Sequence, residues 1–419
     1  MARSIRFIHS GDIHLGAPFR GLRELSASWA DKLADAIPCA FERLVDTCIE
    51  RDVDFLLLAG DIFDTDTVSY AHYQRFITAL DKLNTQGISV YMCAGNHDPY
   101  ANWVPLFPDL PPCVHFFSSD EPGYAVYEKD GEPLAHICSR GFSNIDTQSD
   151  IAYGITRTRA IEKTHTHAPF AIGMLHTGFT IDARKAPCSQ ATLDASDMDY
   201  WAFGHIHQML LFTPDDPRIA YCGCIQGRDV KETGPRGCLE VTLTEHEKPQ
   251  VKPIWLASVV WEHITVDVSS AYSIHEVINM CINALFDTNR SSACEEMIAR
   301  LSLEGACSLH TQLANPAIRE EIRAAINEGV PTFYCDSLRD NTTNPRYIDA
   351  HKNNCLFESL IASHADAMLE NTDETVEMLY SQCVQRGLSE PHALKASLCE
   401  YVRHAQTRAL DALGDTAHD

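Results

Sequence analysis

Asp12 and His14 stand two residues apart, and so do His205 and His207. Residues i and i+2 of an extended backbone project to the same side, so each pair can aim at one point. Asp61, the run Asn96-His97-Asp98 and His176 add further oxygen and nitrogen donors. Carboxylates, imidazoles and a carboxamide, with no thiolate among them, suit a divalent cation such as manganese or iron. One histidine among twenty carries little weight, and His9, His115 and His136 are read as structural on that ground. The ordered set carries more: Gly11-Asp12-Ile13-His14, Gly60-Asp61, Gly95-Asn96-His97-Asp98, His176 and Gly204-His205-Ile206-His207.

Each motif follows an apolar run of strand length. The spacing predicts strands over Ile5–His9, Val53–Ala59, Ile88–Ala94, Phe170–Leu175 and Tyr200–Phe203, and each ends at one of the five motifs. Further strands are expected at Val114–Phe117, Tyr124–Glu128, Leu134–Cys138, Arg218–Cys222 and Cys238–Leu243. Helical spacing runs through Ala27–Arg51, interrupted or kinked near Pro38, and through Ser69–Leu83. Alternating strands and helices imply an α/β core with helices on both sheet faces. Ligands of such sheets bind beyond the carboxyl ends of the strands, where all five motifs fall.

The 419 residues exceed one ordinary core and predict two or three domains. Lys and Arg number 33 against 58 Asp and Glu, a net charge of −25. Residues 1–250 carry 21 basic and 34 acidic side chains, and residues 251–419 carry 12 and 24, so neither part is basic. That excludes a protein holding nucleic acid mainly by counterion release. A polyanionic substrate then needs a local basic groove, bound cations or a partner protein. Sixteen cysteines without a CxxC pair read as reduced, mostly buried residues. No apolar run reaches membrane-spanning length and the first nine residues show no signal-peptide core, so a cytoplasmic protein away from membranes is expected.

The pattern D-x-H, G-D, G-N-H-D, H and G-H-x-H resembles the calcineurin-like metallophosphoesterase superfamily. Phe7-Ile8-His9-Ser10-Gly11-Asp12-Ile13-His14-Leu15-Gly16 and Ala59-Gly60-Asp61-Ile62-Phe63-Asp64-Thr65 are similar to its DNA-repair nuclease branch, typified by SbcD. Tyr221–Arg228, Glu232-Thr233-Gly234 and Gly237-Cys238-Leu239 look closest to the YhaO subfamily. The resemblance implies a layered α/β/β/α sandwich over residues 1–245 and, more weakly, a small α/β capping domain over 255–338; the sequence pattern itself adds a C-terminal helical region over 346–413. It implies one metal on Asp12, His14, Asp61 and His207 and another on Asp61, Asn96, His176 and His205. Eight protein bonds leave two six-coordinate ions about four open positions, whereas four protein ligands would saturate zinc. That favours Mn²⁺ or iron, with Mn²⁺ the first expectation. Two divalent ions over two carboxylates leave the site net positive inside an acidic protein.

The activity implied is in-line hydrolysis of a DNA phosphodiester by a bridging hydroxide, in an exonuclease of DNA repair. His97 is expected to protonate the leaving oxygen, with Asp98 holding its ring. Arg140, Arg228 and Lys231 are candidate phosphate contacts. Asp64 departs from archaeal and eukaryotic members of the branch, which carry histidine there. A small-molecule phosphoesterase needs the same metals but a tight pocket. A scaffold protein for an SMC-like ATPase would instead rely on helices near Asn353–Leu369, Glu374–Arg386 and Glu390–Leu413. Their apolar positions include Leu356, Leu360, Ile361, Leu394, Leu398 and Val402. DNA and such an ATPase are the expected partners, and a homodimer is compatible with the sequence.

Overall fold

The computed structural model describes all residues except 1, 21, 23–26, 65–68, 100–109, 118–120, 143–149, 183, 185, 330–331, 346–355, 386–393 and 415–419. Two compact units divide the chain: residues 1–262 with 291–298, and residues 263–290 with 299–419.

The first unit holds two six-stranded sheets. In one, β1 (Ser4–Ser10), β2 (Phe55–Ala59), β3 (Ser89–Cys93) and β4 (Val114–Phe117) run parallel. β11 (Gly237–Thr244) and β12 (Gln250–Trp255) extend it antiparallel beyond β1. This sheet therefore continues ten residues past position 245. The other sheet has the order β5 (Gly123–Lys129), β6 (Glu132–Arg140), β7 (Phe170–His176), β8 (Tyr200–Gly204), β10 (Ile219–Tyr221), β9 (Leu210–Leu211). Its members β6, β7, β8 and β10 are parallel.

Strand alternation explains the stacking. Phe55, Leu57 and Ala59 enter one core with Ile172, Met174, Tyr200 and Ala202 of the facing sheet. Leu56 and Leu58 point the other way, into a core with Phe41 and Leu44 of α1 (Ala27–Glu50) and Phe76 and Leu80 of α2 (Tyr70–Thr85). On the far side, Ala171, Trp201 and Phe203 pack with Ala160 of α3 (Arg157–Thr164) and Leu193 of α4 (Gln190–Asp194). A strand buried on both faces reads as an unbroken apolar run, as Phe55–Ala59 does. The result is the α/β/β/α layering implied by the resemblance. Each sheet has helices on one face only, because the opposite face is covered by the other sheet. α1 runs from Ala27 to Glu50 as one element with Pro38 inside.

Beyond the sandwich, β13 (Val259–Asp267), β14 (Glu296–Glu304) and β15 (Phe333–Asp340) form a three-stranded sheet in that order. α5 (Ile274–Ser291), α6 (His310–Leu313) and α7 (Pro316–Asn327) accompany it, followed by α8 (Leu356–Glu370), α9 (Thr372–Gln385) and α10 (Leu394–Gly414). Ala365 of α8 is buried with Leu398 and Val402 of α10, so α8 and α10 close a small helical core, while Phe357 and Leu360 stay exposed. The helical segments expected at 353–355, 386 and 390–393 and the side chains of Leu356 and Leu394 lie outside the described residues. Among the described residues no helix is long and apolar enough to cross a membrane, and the cysteines are free and mostly buried.

Candidate metal centre

The donors come together where β1, β2, β3, β7 and β8 end. Left-handed backbone turns the chain at three of these junctions: φ is 48° at Asp12, 51° at His14, 52° at Asp61 and 100° at His205. Non-glycine residues adopt such angles at a cost of order 1–3 kcal/mol each, and they cluster at functional sites. The strands are stitched at this rim by Asp12 N donating to Gly60 O (3.0 Å) and His14 N to Asp61 O (3.0 Å). Gly60, at φ 85°, lies against His176, where an added Cβ would sit 2.6 Å from Nδ1. At Gly95 a Cβ would fall 2.1 Å from Asp61 Oδ1, so any side chain there would displace that carboxylate.

All seven expected ligands meet. Asp12, His14 and His207 bring one donor atom each within 4.8 Å of one another, and so do Asp12, Asp61 and His176. His14 Nε2 lies 3.1 Å from His207 Nε2 and 3.7 Å from Asp61 Oδ2. The same Asp61 oxygen lies 3.4 Å from His176 Nε2. Asn96 Oδ1 stands 3.0 Å from His176 Nε2 and 2.9 Å from His205 Nδ1. Asp12, His14, Asp61 and His207 could thus hold one cation and Asp61, Asn96, His176 and His205 another, with Asp61 Oδ2 facing both.

Proton bookkeeping tests the fit. His207 Nδ1 is hydrogen-bonded to the Glu232 carboxylate, and His176 Nδ1 donates to Ala59 O (2.9 Å). Each ring therefore turns a bare Nε2 inward. His176 Nε2 then faces two further acceptors, Asn96 Oδ1 and Asp61 Oδ2. Lone pairs this close need a positive charge between them, and the donor set fits divalent cations. Without one a proton must serve. Although burial opposes it, the Asp61 carboxylate pushes the His176 ring up to about 9. Burial also disfavours charge on Asp61, yet the His176 and His14 rings beside it hold this carboxyl well below its usual range. Burial drives His14 and His205 down to about 4, which leaves both rings neutral and free to ligate at neutral pH. It raises Asp12 to about 6.

His97 lies at the rim, its side chain 36% exposed, with its N–H fixed on Asp61 Oδ1 (2.9 Å). The carboxylate beside its ring is Asp64, whose Oδ1 lies 3.3 Å from His97 Nδ1. The expectation that Asp98 holds that ring is corrected. Asp98 is buried, and its carboxylate accepts from Gly95 N (2.8 Å), Asp61 N (3.2 Å), Ile62 N (2.7 Å) and Phe63 N (3.2 Å), joining the β2 and β3 loops. Those loop amides outcompete an imidazole on the rim for it. Arg228 is also reassigned: it is buried and its Nη1 pairs with Asp64 Oδ1. That oxygen also lies 3.1 Å from His14 Nδ1. Against the effect of burial, His14, His97 and Arg228 hold the Asp64 carboxyl far below its ordinary value. Arg140 ends β6 opposite Leu175, one residue before His176, and Lys231 N donates to Asp229 Oδ1 (2.9 Å). Sequence reasoning missed Glu232 as the partner of His207; its only signal was a place in the quoted Glu232-Thr233-Gly234 run.

The model of the calcineurin-like phosphoesterase family matches residues 5–209, and that of the metallophosphoesterase YhaO middle domain matches residues 261–343. The chain is similar to the "Uncharacterized metallophosphoesterase YhaO" of Bacillus subtilis, 30% identical over 388 residues, 89% of this chain and 91% of the relative. It is 28% identical over 234 residues to the "DNA double-strand break repair protein Mre11" of Thermoplasma acidophilum, 54% of this chain and 57% of that one. One component of the SbcCD nuclease of Escherichia coli K12 matches at 26% over 254 residues, 52% of this chain and 60% of the relative. With its donors converging at the strand ends and its likeness to YhaO running through nine-tenths of both chains, this protein belongs to the calcineurin-like metallophosphoesterases.

Proposed function

We propose that this hydrolase is a metal-dependent phosphodiesterase acting on DNA, an exonuclease of DNA repair in the cytoplasm that uses two divalent cations, manganese in preference to iron or zinc. The observation that carries the reading is Asp61 Oδ2 set between two donor groups, 3.7 Å from His14 Nε2 and 3.4 Å from His176 Nε2. DNA as substrate is supported by the relatives named for double-strand break repair and for nuclease action. An SMC-like ATPase partner belongs to the same reading, and the exposed Phe357 and Leu360 on α8 suit an apolar partner helix.

Cations held there would polarise the phosphoryl oxygens and lower the pKa of water near them. The chain's own contributions are positional and protonic. His97 Nδ1 faces Asp64, so its Nε2 is the nitrogen left to meet substrate. The Asp64 hydrogen bond raises the His97 pKa against the effect of its partial burial, which favours the protonated ring that a general acid at the leaving oxygen requires. Glu232 and Ala59 O fix the tautomers of His207 and His176.

The test is His97→Ala with manganese and linear DNA. Hydrolysis is expected to fall by about 10²–10⁴-fold while metal content by elemental analysis stays near two ions per chain. Unchanged activity would remove His97 from the chemistry. In the unsubstituted chain, hydrolysis confined to small phosphate esters would replace DNA as substrate, and full metal loading without hydrolysis would leave only the scaffold role.

A further inference from the structure

Arg20 reaches the centre from the solvent side. Its Nη2 lies 4.0 Å from Asp64 Oδ2 and its side chain is 60% exposed. The other Asp64 oxygen lies 3.3 Å from the ring of His97. Arg20 thus stands one carboxylate away from the rim histidine. Its backbone is fixed: Arg20 N donates to Arg228 O (2.8 Å), and Arg20 forms a parallel bridge with Asp229. Asp64 already has buried Arg228 as its counter-charge, with the rings of His14 and His97 beside the same oxygen. At 4.0 Å and largely in water, Arg20 is held only loosely by the buried Asp64. Its guanidinium keeps a planar fork of donors that matches a phosphate.

We propose that Arg20 binds the phosphate flanking the scissile one, so that the centre selects an extended phosphodiester polyanion over a small diester. The proposal rests on the reading of the centre as a DNA phosphodiesterase. Phosphates of one strand recur about every 3.4 Å along the helix axis, so a cation this close to the rim meets a neighbouring one. In a chain of net charge −25, such a contact has to be made locally.

The experiment compares the manganese-loaded full chain with R20Q and R20K on a single-stranded oligonucleotide and on bis(p-nitrophenyl) phosphate, across a salt series. R20Q is expected to raise KM for the oligonucleotide roughly tenfold with kcat nearly unchanged. The slope of log kcat/KM against log salt should become shallower by about 0.7, one phosphate contact on a single strand. R20K should recover most of that slope, and bis(p-nitrophenyl) phosphate kinetics should not move. Equal losses on both substrates would make Arg20 a structural partner of Asp64 and overturn the proposal, as would an unchanged KM and salt slope. If the parent chain cleaves only the small diester, the DNA reading falls by itself. Oligonucleotide binding by fluorescence anisotropy then decides Arg20: weaker binding by R20Q upholds the contact, and equal binding refutes it.

Discussion

Glu232→Gln isolates how the chain tunes one of its two donor groups. The Glu232 carboxylate meets His207 Nδ1 with one oxygen and accepts Arg228 N (2.7 Å) and Asp229 N (3.3 Å) with the other. Burial opposes ionisation, yet the His207 contact outweighs it and holds this carboxyl down at about 2, so it is fully charged at neutral pH. Glutamine keeps the shape but has one acceptor oxygen for two jobs. Either His207 loses its acceptor, or the two backbone N–H groups face an NH₂. Loss of such an outer partner lowers metal affinity about 10–100-fold, or roughly 1.4–2.7 kcal/mol. The loss should be confined to the group containing His207, because His176 is oriented by Ala59 O and not by Glu232. Calorimetric titration of manganese into chelator-treated protein should then show one weakened and one unchanged binding event. Two events weakened alike, or neither shifted by more than about twofold, would refute the assignment of His207 and Glu232.

Gly95→Ala sets a Cβ 2.1 Å from Asp61 Oδ1 and 2.4 Å from Asp61 N. Overpacking costs about 1–3 kcal/mol, and here it falls on the carboxylate proposed to face both cations, so stoichiometric metal binding should be lost before the fold melts in a thermal scan. His9 is buried between the Tyr200 hydroxyl (2.9 Å) and Phe203 O (3.2 Å), and burial lowers its pKa to about 3. Between pH ~6.5 and ~3 the unfolded chain binds a proton that the folded one refuses, so stability falls with acidification by up to about 1.4 kcal/mol per pH unit. In urea unfolding with chelator, where His14 and His205 add to the slope, His9→Gln should lower it by that amount.

The candidate donors were legible because each follows an apolar run; the i, i+2 argument assumed extended backbone, whereas Asp12, His14 and His205 sit in left-handed turns that bring the pairs together another way. Two features resisted. His97 and Asp98 are adjacent in sequence and suggest a pair, but within a tight turn neighbours diverge, and Asp98 turns inward to four loop N–H groups while Asp64 takes the ring. Arg228 reads as a free cation until its burial against Asp64 is seen. Hydrophobic period also cannot tell what covers a strand. The continuous run Phe55–Ala59 requires two buried faces, yet it does not say that one of them meets β7 and β8 and not a helix. Helix α10 shows the same limit at its apolar stripe, where Leu398 and Val402 are buried and Tyr401 between them is not.

The order in which the donors occur along the chain has a consequence for biosynthesis. Asp12 and His14 leave the ribosome first, but His207, the last member of their donor group, follows almost two hundred residues later, and Glu232 later still. β1 itself gains its second neighbour only when β11 arrives at Gly237–Thr244. At about 5–20 residues per second the nascent polypeptide passes tens of seconds before both donor groups can be complete. A translation product ending before Gly204 would still carry Asp12, His14, Asp61, Asn96 and His176, so it is the closing imidazole of each donor group that arrives late.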